Sequence, residues 1–242
     1  AVLRGAAAGA APGARMRGSH PSSLWPASLL SPLSHAASLE SVRQRLHAAR
    51  HPAAAVFEGA GPAERRHDLL ELELAARRWW AQRVHEGVRR AGRAAGEIAG
   101  RIIDEENLVA LLLSPAWGVE VAPERVFLPG GGRLEQSLLV ELWRTGDEAA
   151  RRSAVAERLH GTPAGRVLAD QGLGLIELPG ALRAAAIREL RRAARLAPLG
   201  PAPTAEVLLR IEAEAEGLRR VVRGIGLEAP AAVIAAGVLA AA

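Results

Sequence analysis

Cysteine is absent from the 242 residues, as are tyrosine and lysine, and methionine occurs once. Without cysteine there is no disulfide, no Cys-ligated zinc and no thiol chemistry. Without lysine, no glycine-rich stretch completes a Walker-type phosphate loop. Aromatic residues make up 3% of the chain, which leaves few platforms on which nucleic-acid bases could stack. No apolar run reaches the ~18 residues of a membrane-spanning helix, and the apolar tail Ala229 to Ala242 falls short of it. The N-terminus carries Arg4 and Arg15 but no leucine-rich core, so it does not read as a signal peptide.

What fills the chain is alanine, leucine, valine and arginine. Hydrophobic residues reach 49%, enough for a sizeable core in one large domain or two small ones. Ala and Leu favour helix, and β-branched and aromatic residues are scarce, so the composition predicts an all-α protein. The formal charge is +5, with all 31 basic residues arginine. One reading is a nucleic-acid binder. The other is a codon bias toward Arg, Ala, Gly and Pro, and the interleaving of acids with arginines in "ERRHDLLELELAARR" suits solvated helix faces.

Along the chain, residues 1–20 are Ala/Gly-rich and expected to fray. Ser38 is a candidate N-cap, with Pro52 beyond that helix's end. Gly59 to Glu64 reads as a linker. The helical pattern from Glu64 to Leu113 is weakened by Gly87, Gly92, Gly96 and Gly100, which predicts two helices with a break among them. Ser114 to Leu134 is a Pro/Gly-rich connection. Further helices are expected from Leu134 to Arg144, from an Asp147–Glu148 first turn to a stop at Gly161, and from Pro179 to Leu196. A long one, capped by Thr204, runs to Arg223, and a last apolar helix closes the chain. Arg45-Leu46-His47 recurs as Arg158-Leu159-His160, Pro52 as Pro163 and Asp104 as Glu214, an internal repeat of about 110 residues. The expected organisation is therefore a low-complexity segment at 1–20 and helical repeats at 21–120 and 121–242.

The stretch with the most polar groups in an apolar setting is "RIIDEENLVALLL", Arg101 to Leu113. Successive helical residues point about 100° apart, so Asp104, Glu105 and Glu106 cannot converge on one ion. Asp104, Asn107, Leu108 and Leu111 share one face. That makes Asp104 and Asn107 polar anchors on a packing face, bonded to backbone or arginine groups of a neighbouring helix, and turns Glu105 and Glu106 toward solvent. His47 and His51 have a spacing that suits zinc, but no Glu completes the metalloprotease motif and Pro52 ends the helix. "FLPGGGRL" and "QGLGLIELPG" read as turns that use glycine rather than as nucleotide loops. No Ser/His/Asp set has a nucleophile-elbow context. Of the adjacent Trp79 and Trp80, one is expected in the core and the other at a groove or interface.

In their order, these pieces resemble the central-stalk C subunit of the V/A-type rotary ATPase, the equivalent of the d subunit in the eukaryotic vacuolar enzyme. The resemblance rests on Asp104-Glu105-Glu106-Asn107-Leu108, on Phe127-Leu128-Pro129-Gly130-Gly131 with Leu134 one residue late, and on Glu214-Ala215-Glu216-Gly217-Leu218 followed by Arg223 and Gly224. Gly217 stands where the family has Asn, Leu113 where an Arg is common, and two repeats are legible where the family has three. The resemblance implies helical lobes around a central cavity and a non-catalytic subunit without cofactor or metal. It implies a place on the cytoplasmic face of the membrane, with the central rotor stalk subunits and the proteolipid ring as partners and with neither nucleic acid nor a membrane span. The other function class left open is a basic helical nucleic-acid-associated or regulatory protein.

Overall fold

A computed structural model describes residues 2–9, 11, 25–59, 68–113, 121–145, 147–232 and 235. Among these residues every regular element is helical and no strand occurs. Of the linker expected at Gly59 to Glu64 only Gly59 is described, and it ends a helix instead; the rest of that linker lies outside the described residues, as do most of the closing apolar helix and the first part of the connection that begins at Ser114. The chain divides into two compact units, residues 1–80 and 81–242.

The first unit holds α1 (Val2–Ala7), α2 (Ala27–Ser34), α3 (Leu39–Ala48), a 3-10 turn (Pro52–Ala54) and α4 (Ala55–Gly59). It also holds the first half of α5 (Leu69–Ala91), within which the division falls. Ser38 caps α3 as its sequence suggests, its hydroxyl accepting from the Ser41 N–H at 3.2 Å. Val42, Leu46, Val56, Phe57 and Leu72 form the core. The alanine-rich start, expected to fray, forms α1 and buries Ala6 in that core. Alanine has the highest helix propensity, and a packed face supplies what propensity alone does not.

The second unit continues with α6 (Arg93–Leu113), α7 (Pro123–Val126), α8 (Gln136–Arg144) and α9 (Glu148–Arg158). It ends with α10 (Pro163–Ala169), α11 (Leu178–Leu196) and α12 (Ala202–Gly226). The break expected among four glycines falls at Gly92, whose φ of +90° closes α5; Gly87, Gly96 and Gly100 stay helical. Asp147 sits one position earlier than expected. It is the cap of α9 rather than part of its first turn, accepting from the Ala149 and Ala150 N–H groups at 3.0 and 3.3 Å. Thr204 does not cap α12, which begins at Ala202 and runs three residues past Arg223. Pro201 and Pro203 start the helix, because proline's fixed φ suits its first turn. The core gathers Leu108, Leu111 and Leu112 of α6 with Phe127, Leu139, Val155, Leu168, Leu178 and Leu182.

Candidate functional site

Gly100, Asp104 and Asn107 lie on successive turns of one face of α6, and that face holds the glycine loop that precedes α8. The Gly100 carbonyl accepts from the Gly132 N–H at 3.1 Å. Asp104 accepts from the Arg133 N–H at 2.8 Å through Oδ2 and from the Leu134 N–H at 3.2 Å through Oδ1. Asn107, fully buried, accepts from the Leu128 N–H at 2.7 Å and donates through Nδ2 to the Leu128 carbonyl at 2.9 Å. Polar anchors are what the helical spacing predicts; their partners, however, belong to a loop and not to a neighbouring helix. Backbone amides suit the two anchors because an ionised carboxylate only accepts, whereas a carboxamide both accepts and donates.

The glycines let the two backbones meet. A Cβ on Gly100 would stand 2.8 Å from the Gly132 Cα, and one on Gly131 would collide with Asp104 Oδ1. Gly130 holds a φ of +88°. The N–H groups of Gly132, Arg133 and Leu134 are already bonded to α6, so the loop is not a phosphate cradle. Burial pushes the Asp104 carboxyl above its ordinary value, against the pull of the Arg133, Leu134 and Gly132 amides and the Arg133 guanidinium.

Glu105 differs from its sequence expectation. It is buried, 7% exposed, and does not point to solvent. A turn of about 100° from Asp104 brings it round to α11, and Arg183 donates to its Oε1 through Nε. Arg183 also donates through Nη1 to Glu212 of α12 at 2.7 Å and lies 4.0 Å from Glu106. One guanidinium thus ties three helices together. Oε2 of Glu105 is enclosed without a hydrogen-bond partner. Burial pushes this carboxyl up to about 7, against the pull of Arg183. Nearby, Glu189 accepts from the Arg133 side chain at 3.2 Å and pairs with Arg101 at 3.3 Å. Arg133 is therefore fixed twice, its N–H by Asp104 and its guanidinium by Glu189. The half-open pocket between these groups, about 40 Å³, has room for water.

The family model for the ATP synthase (C/AC39) subunit matches residues 1–236. The chain belongs to this family. Members are non-catalytic stalk subunits of the rotary ATPase. No curated protein matches the chain.

In this C/AC39 chain the first two motifs meet in space: Asp104, Asn107 and Leu108 of α6 with the loop containing Pro129, Gly130 and Gly131. The third motif does not join them. Glu214, Leu218 and Arg223 lie on α12, with Leu218 and Arg223 exposed. Leu108 packs in the main core. His47 is exposed and 3.4 Å from Glu58, while the ring of His51 turns inward, accepts from the Ala53 N–H at 3.2 Å and lies 4.4 Å from the Trp25 ring centroid. The pair does not converge, and among the described residues no group of three or more His, Asp or Glu side chains is placed to hold a metal. Trp79 packs on the core of the first unit, and Trp80 is 38% exposed.

Two arginines carry structure that the sequence did not reveal. Arg183 sits in an alanine-rich stretch, and no local pattern names a carboxylate 78 residues upstream. Arg152 is buried and donates to the carbonyls of Val167, Leu168, Asp170 and Leu173, closing the end of α10 and the turn after it. The only advance signal for Arg152 is its place on the apolar side of α9, one turn before Val155. Several surface arginines pair with acids, as their interleaving predicts: Arg43 with Glu40, Arg144 with Glu124, Arg191 with Glu206 and Arg219 with Glu216.

Proposed function

We propose that this C/AC39 chain is the coupling component of a V/A-type proton- or sodium-translocating ATPase or ATP synthase. In this reading it joins the central rotor stalk to the membrane proteolipid ring and passes torque between them. It sits peripherally on the cytoplasmic face of the membrane. The observation that carries the reading is the family match over residues 1–236. The site is consistent with it. A torque-bearing part needs stiffness rather than a reaction centre, and Asp104, Asn107 and Arg183 spend their polar atoms on joining backbone and helices. The proposed internal repeat has local support. Leu46 and Leu159 are both buried at the ends of capped helices, and Pro52 and Pro163 each start the next helical turn. Several described arginines pair with acids, among them Arg43 with Glu40, Arg93 with Glu97 and Arg219 with Glu216, which does not favour the nucleic-acid reading.

The test is co-expression of the tagged chain with the stalk subunits and the proteolipid ring. Recovery of the chain in a complex containing both, and loss of ion pumping with retained ATP hydrolysis when it is omitted, are the expected results. A chain that never assembles with either partner, or complexes that pump equally well without it, would overturn the proposal.

A further inference from the structure

The Arg183 guanidinium faces three carboxylates. Nε donates to Glu105 Oε1, Nη1 donates to Glu212 Oε2 at 2.7 Å, and Nη2 lies 4.0 Å from Glu106 Oε1. Glu105 is buried with its Oε2 enclosed and without a hydrogen-bond partner, whereas the Glu212 side chain is 63% exposed. The other charged groups around Glu105 are engaged. On α6 itself, Asp104 holds the Arg133 and Leu134 amides and Arg101 pairs with Glu189 of α11. From the glycine loop, the Arg133 guanidinium also bonds Glu189. The turn between α9 and α10 presents the uncharged Leu159 and Thr162. The three helices that meet at Arg183 are not held equally. α6 buries Ile103, Leu108 and Leu111, and α11 buries Leu178, Leu182 and Leu190. α12 buries Ala202 and Leu209 in its first half, but past Glu212 its buried residue is Gly217, where a Cβ would meet nothing within 4 Å. The Arg183–Glu212 bond therefore stands where the packing of α12 gives out.

We propose that a proton on Glu105 controls the docking of the second half of α12, residues 212–226, which is held while Glu105 is neutral and released when Glu105 ionises. A neutral Glu105 takes one bond from Arg183 and leaves the arginine's charge to Glu212. An ionised Glu105 places a bare carboxylate oxygen, Oε2, in an enclosed position, and a buried charge without a donor is costly. Nη2 shares an edge of the planar fork with Nε and is the donor that can turn to Oε2, which makes the pair bidentate. The Arg183 charge is then neutralised inside. Glu212 meets two like charges, Glu105 and Glu106, and has water as its alternative. With little packing beyond Glu212, α12 is the helix that yields, a local opening rather than an unfolding of the unit. The proton leaves through the half-open pocket that Glu105 lines. Burial, with the charges of Glu106 and Glu212, outweighs the pull of Arg183 and sets the change at about pH 7. The inference does not rest on the rotary role; it concerns the isolated chain.

The test is amide hydrogen exchange on the full chain between pH 6 and 8, corrected for the intrinsic exchange rate. Protection of residues 212–226 should fall above pH 7 by about tenfold per pH unit, the slope of one released proton, while that of residues 178–190 in α11 stays level. Glu105→Gln, a neutral stand-in for the protonated acid, should keep residues 212–226 protected up to pH 8. Glu212→Gln, a change at an exposed side chain, should leave a protection that no longer varies with pH. Four results would overturn the proposal. They are protection of α12 that is independent of pH in the unaltered chain, an equal loss in α11 and α12, a pH dependence that survives Glu105→Gln, and one that survives Glu212→Gln. The second would mean that Glu105 acts on the whole unit alike, and the third would assign the titration to another group.

Discussion

Asn107 and Leu128 exchange two hydrogen bonds, the side-chain amide of one reading both the N–H and the C=O of the other. The pair imitates a strand bridge in a protein whose described residues form no strand. It pins the start of the glycine loop to α6, and Asp104 pins its end.

Removing either pin leaves buried backbone groups without partners. Asn107→Ala orphans the Leu128 N–H and C=O and should cost about 2–4 kcal/mol; Asp104→Ala orphans the Arg133 and Leu134 amides and should cost about 2–3 kcal/mol. Urea unfolding of the second unit's transition measures both. A cost under about 0.5 kcal/mol, the scale of a neutral surface change, would show that the loop is held by something else.

Gly100 and Gly96 are neighbouring glycines on α6 with opposite expectations. A methyl on Gly100 meets the Gly132 backbone at 2.8 Å, so Gly100→Ala should push the loop away and cost more than about 1 kcal/mol. A methyl on Gly96 meets nothing within 4 Å, so Gly96→Ala should stabilise by about 0.5–1 kcal/mol through helix propensity. Thermal unfolding of the two single variants decides the matter, and equal effects would refute the close approach.

The Glu105 carboxyl, ordinarily at 4.5, is pushed up to about 7. A raised value means that the folded chain holds a proton that the unfolded chain has released. The stabilising contribution is therefore complete below about 4.5 and disappears as pH rises through about 7. Over that window stability should fall by up to about 3 kcal/mol. Asp104, raised by burial as well, adds to the fall in the same direction. Glu105→Gln should flatten the slope between pH 5 and 7, as followed by denaturant midpoints. An unchanged slope would place the titration elsewhere.

Arg151 and Arg152 are adjacent and both 4% exposed, yet their substitutions should differ in sign. Arg152 satisfies four carbonyls, so Arg152→Met should cost about 3–5 kcal/mol. The Nε of Arg151 is enclosed without a hydrogen-bond partner, so Arg151→Met should be neutral or stabilise by about 1 kcal/mol. Calorimetry on the two variants tests the contrast.

What is legible in the sequence is local. Ser38 caps its helix because a hydroxyl three residues before a free N–H needs no distant partner. Gly92 breaks α5 and α6 apart because φ near +90° is open to glycine alone. Asp104 and Asn107 share a face because 3.6 residues make a turn. Where a second local feature competes, the boundary moves. Thr204 loses the cap to Pro201 and Pro203, and Asp147 shifts one position to the cap itself.

By itself, then, the sequence determined the helical class, a break among Gly87, Gly92, Gly96 and Gly100, the polar anchors and the family resemblance. Each of these depends on residue type and spacing within a few turns. Only the tertiary structure decided which groups the anchors hold, that Glu105 is buried, and that Arg183 joins three helices. Those outcomes depend on how α6 is enclosed from more than one side, and a helix's own periodicity names its apolar face without saying how many neighbours will cover the rest.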